Sequence, residues 1–261
     1  MSLQDPKFSL IITVFNGKTF LNDTLISILN QDVDDWEAII INDGSTDGTK
    51  ELLDTFANKD KRLHVFHKPH VGRIKALNEA ISLSKGHYVA INDDDDLSHT
   101  NRLRTQGEFL DVHPIIGMVG SFARIINENG NDNGKTISAE TEDKDIRRII
   151  LRYNPFVHSS VMYRRKLLLE TGGYTERFMP GFEWEIYAKI MKHAQVANIP
   201  ETLVSYRSHR SSLTHRRPKW QRLFGVTRAR WFVFKELGFS WKQFPFVFMG
   251  LVDLLPKSMR Q

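Results

Sequence analysis

A chain of 261 residues with 41% hydrophobic and 26% charged side chains can bury a full core, and it fits one large α/β domain with a C-terminal extension better than two equal domains. It has no cysteine, which excludes a disulfide framework and a thiolate metal site and is compatible with a reducing cytoplasm. No run approaches the ~20 apolar residues that span a bilayer, and the opening Met-Ser-Leu-Gln-Asp-Pro-Lys lacks the basic and apolar regions of a secretory signal, so a soluble or monotopic protein is expected. The formal charge of +5 is uneven: from Arg207 to Lys235 there are nine Lys or Arg and no acid.

Short runs rich in Ile and Val alternate with stretches of helical periodicity, the pattern of βα units on a mostly parallel sheet. Phe8 to Val14 reads as the first strand, and Trp36 to Ile41, Leu63 to Phe66 and Tyr88 to Ile91 as the next three. The helices between them carry apolar faces made by Leu21, Leu25, Ile28 and Leu29, then Leu52, Leu53 and Phe56, then Ile74, Leu77 and Ile81. A helix around Leu103 to Val112, a strand around Met118 to Ile126 and an Asn- and Gly-rich hairpin turn at Asn127 to Lys135 follow. A strand near Val157 to Tyr163, a helix near Phe182 to Lys192 and a short strand at Leu203 to Tyr206 complete a domain spanning 1–212, its halves meeting near 97. Residues 213–261 read as a basic, aromatic helical appendage.

Ligands of open α/β sheets bind outside the carboxyl ends of the strands. Those ends carry Thr13 to Asn16, Asn42 to Ser45 and Asn92 to Asp96, so three polar loops face one crevice. Four consecutive aspartates, Asp93 to Asp96, are costly at a strand's end without a cation. In an extended segment Asp93 and Asp95 share a face and can converge on one hard cation while Asp96 reaches elsewhere. Mg²⁺ or Mn²⁺ held by so few carboxylates keeps positions open for substrate phosphates. The competing reading is a solvated acidic turn before a helix capped by Ser98. The loop Asp43 to Gly48 imitates the start of an EF-hand, but Lys50 stands where an apolar residue belongs, Asp54 where a Glu belongs, and a strand rather than a helix precedes it, so a strand-to-helix turn with Asp47 as cap is simpler.

Ile11-Ile12-Thr13-Val14-Phe15-Asn16, then Ile41-Asn42-Asp43-Gly44-Ser45-Thr46-Asp47-Gly48-Thr49, then Asn78 in Gly72 to Asn78, then Asp93 to Asp96 together resemble the ordered motifs of family 2 glycosyltransferases. The likeness covers about the first 210 residues, and it is the order of the motifs, more than any one of them, that is specific. It implies the GT-A fold, with a nucleotide-binding half over about 8–97 and an acceptor half over about 98–212. It also implies a nucleotide-sugar donor, a UDP-sugar first, a divalent metal, Mn²⁺ or Mg²⁺, and inversion at the anomeric carbon. By that pattern Thr13 and Phe15 line the base pocket, Asn16 belongs to the nucleotide-sugar site and Asp43 accepts from the nucleobase. Asp93, Asp94 and Asp95 meet the donor, while Asp95 and Asp96 hold the metal, in roles that can exchange along the run. Phe15 can stack on a base or merely fill the core.

The general base must come from the other side of the sugar. In the family an acidic pair followed by an aromatic opens a helix, and its second acid is the base. Aligned on Trp184, that residue is Glu183, with Phe182 where the first acid belongs and Glu185 in reserve. Two residues apart on one helix, Glu183 and Glu185 cannot both face the cleft. Tyr206 to Ser212 resembles the closing motif, which gives His209 a place in the metal shell and favours Mn²⁺ modestly. Arg73, Lys75, Arg207 and Arg210 are candidate diphosphate contacts. The tail interleaves Trp220, Phe224, Trp231, Phe232 and Phe234 with Arg and Lys, which suits a peripheral contact with the inner face of the cytoplasmic membrane, or packing on protein. No nucleic-acid motif accompanies it. The resulting expectation is a glycosyltransferase of surface-polysaccharide assembly that uses a saccharide or lipid-linked acceptor. The alternatives are a polyprenyl-phosphate glycosyltransferase and a non-catalytic nucleotide-sugar binding protein.

Overall fold

A computed structural model describes residues 5–179, 181–209 and 218–249. In chain order the first half runs β1 (Phe8–Val14), α1 (Lys18–Leu29), β2 (Trp36–Asp43), α2 (Thr49–Lys59), β3 (Leu63–Lys68), α3 (Arg73–Leu83) and β4 (Tyr88–Ile91). The second runs β5 (Leu97–Ser98), α4 (Arg102–Val112), β6 (Ile116–Ile126), β7 (Asp132–Ile137), α5 (Asp143–Ile149), a 3₁₀ turn at His158–Ser160, β8 (Met162–Arg164), α6 (Arg165–Glu170), α7 (Phe182–His193) and β9 (Gln195–Arg207). Helices α8 (Lys219–Glu236) and α9 (Phe244–Val247) follow.

The sheet order is β3-β2-β1-β4-β8-β6-β9-β5, with β7 paired to β6. The first four strands are parallel, joined by the three helical crossovers. Beyond β4 the sheet is mixed: β8 is antiparallel to β4 and β6, and β9 is parallel to β6.

Side chains alternate across a strand, so each buried strand feeds two cores. Leu10, Ile12 and Val14 of β1 join Leu21, Leu25 and Ile28 of α1 on one face, while Ile11 joins Ile74, Leu77 and Ile81 of α3 on the other. Each fully buried aliphatic side chain of this kind contributes about 2 kcal/mol. The second core also takes in Ala229, Val233 and Phe234 of α8, so the inner face of the tail is part of the domain's packing. The Asn127–Lys135 segment holds a turn and most of a paired strand, β7, whose residues are nearly all exposed.

The acidic run differs in one respect from the strand-end expectation. β4 stops at Ile91, and Asp94 and Asp95 lie in a turn. Ser98 does not cap α4, which begins at Arg102 after Asn101; its hydroxyl donates instead to Asn92 Oδ1 at 2.8 Å. Asp47 likewise sits one place early for a cap. Gly48, in a left-handed conformation at φ 89°, opens α2, and Asp47 Oδ1 accepts from Thr49 N–H at 3.1 Å.

Candidate active site

The three loops at the carboxyl ends of β1, β2 and β4 meet, and each is held by short polar contacts. Asn16, the single non-glycine residue with positive φ among the described residues, accepts at Oδ1 from Thr46 N–H at 2.8 Å and donates its own N–H to Ser45 Oγ at 2.9 Å. These bonds lock the β1 and β2 loops together. Gly17 sits close against the β4 turn: a Cβ there would meet the Asp94 carboxylate and Val14 Cγ2, so a larger residue would have to displace them. Asp43 is buried and accepts from the backbone N–H of Val71 at 2.7 Å and of Gly72 at 3.0 Å, so it braces the loop ahead of α3. That loop delivers His70, whose ring lies 4.2 Å from Phe15. Phe15 is 45% exposed, a ring offered to the crevice rather than core filler. Thr13 is half-buried at the end of β1.

The turn after β4 brings carboxylate oxygens of Asp93, Asp95 and Asp96 within 4.8 Å of one another. Asp93 Oδ1 pairs with Arg73 Nη2 at 2.5 Å, and Asp95 Oδ2 with His209 Nε2 at 2.7 Å. Asp96 is fully buried; it accepts from Arg207 N–H at 2.7 Å and from the Ser159 hydroxyl. Arg73 and Lys75 are two apart on α3 and diverge, Arg73 to the aspartates and Lys75 to solvent. Arg207 turns inward in place of the expected diphosphate contact. It is 1% exposed, donates to the carbonyls of Asp95 and Glu128, both at 2.9 Å, and stacks over Phe20. Arg210 lies outside the described residues.

Electrostatics show that the cluster is short of positive charge. Burial, then the neighbouring Asp95, push Asp94 up to about 8. Burial and Asp93 raise Asp95, and burial with Asp95 and Asp93 raises Asp96 well above the ordinary range. Asp93 alone is held low, because Arg73 and His158 outweigh its burial. Three raised carboxylates beside one low one are a site whose full ionisation needs a further cation. Hard oxygen donors at this spacing, with one imidazole alongside, suit Mn²⁺ or Mg²⁺. Two buried donors beside Asp93, Arg73 Nε and His158 Nδ1, make no hydrogen bond.

Across the cleft, Gly181 in a left-handed conformation opens α7. Glu183, in its first turn, is half-buried, and its side chain has no hydrogen bond or ion pair among the described residues. Glu185 points into the protein, where Lys189 Nζ lies 3.0 Å away and the Thr175 hydroxyl donates to it. Phe182 lines the cleft, its ring 5.3 Å from His158, 5.6 Å from Tyr174 and 5.6 Å from the Arg73 guanidinium carbon.

Sequence reasoning missed Arg102, His158, Ser159 and Tyr174. Arg102 is fully buried and ties the β4 turn by donating to Asn92 Oδ1, the Ser98 hydroxyl, the Ile91 carbonyl and Gln106 Oε1. Its signal was a polar pair, Arg102 and Gln106, on the same stripe of α4 as Leu103 and Leu110.

The family model for glycosyl transferase family 2 matches residues 9–172. An uncharacterized glycosyltransferase of Rickettsia bellii is 40% identical over 126 residues, 48% of this chain and 18% of that protein. A putative teichuronic acid biosynthesis glycosyltransferase of Bacillus subtilis, TuaG, is 25% identical over 238 residues, 89% of this chain and 88% of that protein. The chain thus spans under a fifth of the first relative, and it spans 66% of a third, an uncharacterized glycosyltransferase of Haemophilus influenzae. Among solved structures, S. aureus TarS 1-349 in complex with UDP-GlcNAc matches with a TM-score of 0.71 at 18% identity, covering 95% of this chain and 80% of that one. The mannosyltransferase PcManGT from Pyrobaculum calidifontis, in complex with GDP-Man and Mn²⁺, matches with a TM-score of 0.65 at 19% identity, covering 87% of this chain and 64% of that one. At these identities the structural likeness carries the fold, which is GT-A.

Proposed function

The chain belongs to glycosyl transferase family 2, and from that premise we propose that it moves one sugar, with inversion, from a nucleotide-sugar donor to a saccharide or lipid-linked acceptor in cell-surface polysaccharide assembly. The observation that carries this reading is the convergence of Asp93, Asp95 and Asp96 within 4.8 Å beside an exposed aromatic pair, Phe15 and His70. A base stacks on those rings, and its phosphates lie toward Arg73 and the aspartates. Neighbouring folds solved with UDP-GlcNAc and with GDP-Man and Mn²⁺ support the same class of ligand. A divalent cation held by Asp93, Asp95 and Asp96, with His209 alongside, would supply Lewis-acid stabilisation of the departing phosphates.

Glu183 takes the acceptor's hydroxyl proton. The freed oxygen pair closes on the anomeric carbon from the face opposite the phosphate, and the bond to the phosphate oxygen breaks with its electrons leaving on the nucleotide. Attack from the opposite face inverts the centre. Arg73, balanced by Asp93, holds positive charge near the leaving group.

A lipid-linked acceptor at the inner face of the cytoplasmic membrane is favoured by the tail. Trp220, Phe224, Trp241, Phe248 and Met249 are exposed there among Arg228, Lys235 and Lys242, while no helix among the described residues is long and apolar enough to cross a membrane. If that acceptor is a polyprenyl phosphate, it is already anionic and needs no base. The test is release of free nucleotide from UDP-, GDP-, CMP- and dTDP-sugars with Mn²⁺, with and without a prenyl phosphate or oligosaccharide. Acceptor-stimulated release from one donor class, abolished by chelator, supports the reading. Absence of release from every donor would leave a non-catalytic binding protein.

A further inference from the structure

The 3₁₀ turn His158–Ser160 grips the acidic run at both ends. Ser159 donates to Asp96, and His158 Nδ1 lies 3.5 Å from Asp93 Oδ1. On its other side His158 Nε2 is 3.1 Å from the Tyr174 hydroxyl, which is 3.1 Å from the hydroxyl of Tyr163. Tyr163 is fully buried, and among the described residues its hydroxyl has no other partner.

That last fact sets the direction of the string. A buried hydroxyl proton without an acceptor is costly, so Tyr163 donates to Tyr174. Tyr174 then donates to His158 Nε2, which places the imidazole proton on Nδ1, facing Asp93. The opposite tautomer would leave the Tyr163 proton without an acceptor and set a nitrogen lone pair against a carboxylate.

We infer that His158 is a positioning residue of the donor site: with Arg73 it holds Oδ1 of Asp93 and leaves the other oxygen for the cation, and Tyr163 and Tyr174 fix the tautomer that lets it do so. The Nδ1 distance is longer than a hydrogen bond, and the atom has no other partner. A shift of Asp93 by about half an ångström brings it into range. Phe182 belongs to the same device, because its ring packs edgewise on His158 and Tyr174 and lies beside Arg73. A carboxylate in its place would compete with Asp93 for Arg73. Partners of this kind, which orient a metal-binding carboxylate, typically change metal affinity 10- to 100-fold.

This inference rests on the proposed donor site, so its test carries a control for that site. Mn²⁺ alone is titrated against the full chain and its free signal followed by electron paramagnetic resonance, for wild type, Asp95→Asn, His158→Leu, His158→Asn and Tyr174→Phe, each checked for folding by circular dichroism. An asparagine amide can place an N–H close to the Nδ1 position. His158→Leu is expected to weaken Mn²⁺ about tenfold, His158→Asn to stay within about threefold of wild type, and Tyr174→Phe to fall between. Equal weakening in His158→Leu and His158→Asn would make His158 a packing residue and overturn the inference. So would wild-type affinity in His158→Leu, with binding lost only in Asp95→Asn. Binding that Asp95→Asn does not reduce would remove the donor-site reading itself.

Discussion

Removing one aspartate should make the protein more stable, and the gain should depend on pH. Asp94 is pushed up to about 8, first by burial and then by Asp95. Its unfolded value is ~3.9. An acid raised on folding contributes stability that is fully present below the unfolded value and is lost as pH rises through the folded one. The difference between these two values corresponds to ~6 kcal/mol at full ionisation. Asp94 is half-buried, and solvent screening reduces this to ~2 kcal/mol. The Asp94→Asn variant keeps the backbone carbonyl that accepts from Thr24 Oγ at 3.1 Å, so the substitution removes charge and little else. In chelator-treated protein its advantage over wild type should grow from near zero at pH 4 to ~2 kcal/mol at pH 8, about 4–8 °C in melting temperature. Scanning fluorimetry from pH 4.5 to 8.5 reads this directly, and added Mn²⁺ should narrow the gap, since a cation offsets the same repulsion. A variant less stable than wild type by a constant amount at every pH would refute the reasoning, because Asp94 would then be a structural acceptor.

Three further substitutions probe other parts of the site. Glu183→Gln should lower kcat about 10²- to 10⁴-fold with a hydroxyl acceptor, whereas near-wild-type turnover would point to an anionic acceptor such as a prenyl phosphate. Arg102→Met removes the guanidinium donor to the Ile91 carbonyl and one of the two donors to Asn92 Oδ1 next to buried acids, and urea unfolding should show a loss of about 3–5 kcal/mol; a loss under 1 kcal/mol would contradict its role in holding the turn. Phe15→Ala should weaken nucleotide about tenfold by calorimetry, in line with ~1.4 kcal/mol for a lost aromatic contact, with Mn²⁺ affinity unchanged; an equal loss of both would mean that Phe15 supports the loop rather than the base.

The sequence made the parallel half legible because its strands are unbroken apolar runs. Phe8–Val14 and Tyr88–Ile91 were read to the residue. The other half hides its strands. β9 was visible only at Leu203 to Tyr206, since Asn198, Pro200 and Glu201 interrupt the pattern. In the fold the register jumps from Ile199 to Thr202 as β6 passes from Ser121 to Phe122, so Pro200 and Glu201 bulge outward, exposed. β7 carries no apolar alternation at all, because it is an exposed edge hairpin.

In the site, the loop motifs declared themselves through residue type and order. The partners that give them geometry did not. His158 and Ser159 fall in a stretch that reads as a strand up to Tyr163, whereas β8 is only Met162–Arg164 after a 3₁₀ turn. Tyr174 and Phe182 meet His158 across 16 and 24 residues of chain, and no local period encodes such a meeting. Phe182 is visible in the sequence as a departure from the family's acid, but its packing against Arg73, His158 and Tyr174 appears only in three dimensions.

The central claim is that a nucleotide-sugar and a divalent cation share the aspartate turn. The most direct measurement is a thermal-shift panel of UDP-, GDP-, CMP- and dTDP-sugars with and without Mn²⁺, run on wild type and on Asp95→Asn. Ligand that binds only the folded chain at a hundredfold excess over its Kd stabilises by about 2.7 kcal/mol. A Mn²⁺-dependent rise of several degrees for one nucleotide class, absent in Asp95→Asn, is the predicted result. A rise that is independent of Mn²⁺ or survives Asp95→Asn, or no rise with any donor, would contradict it.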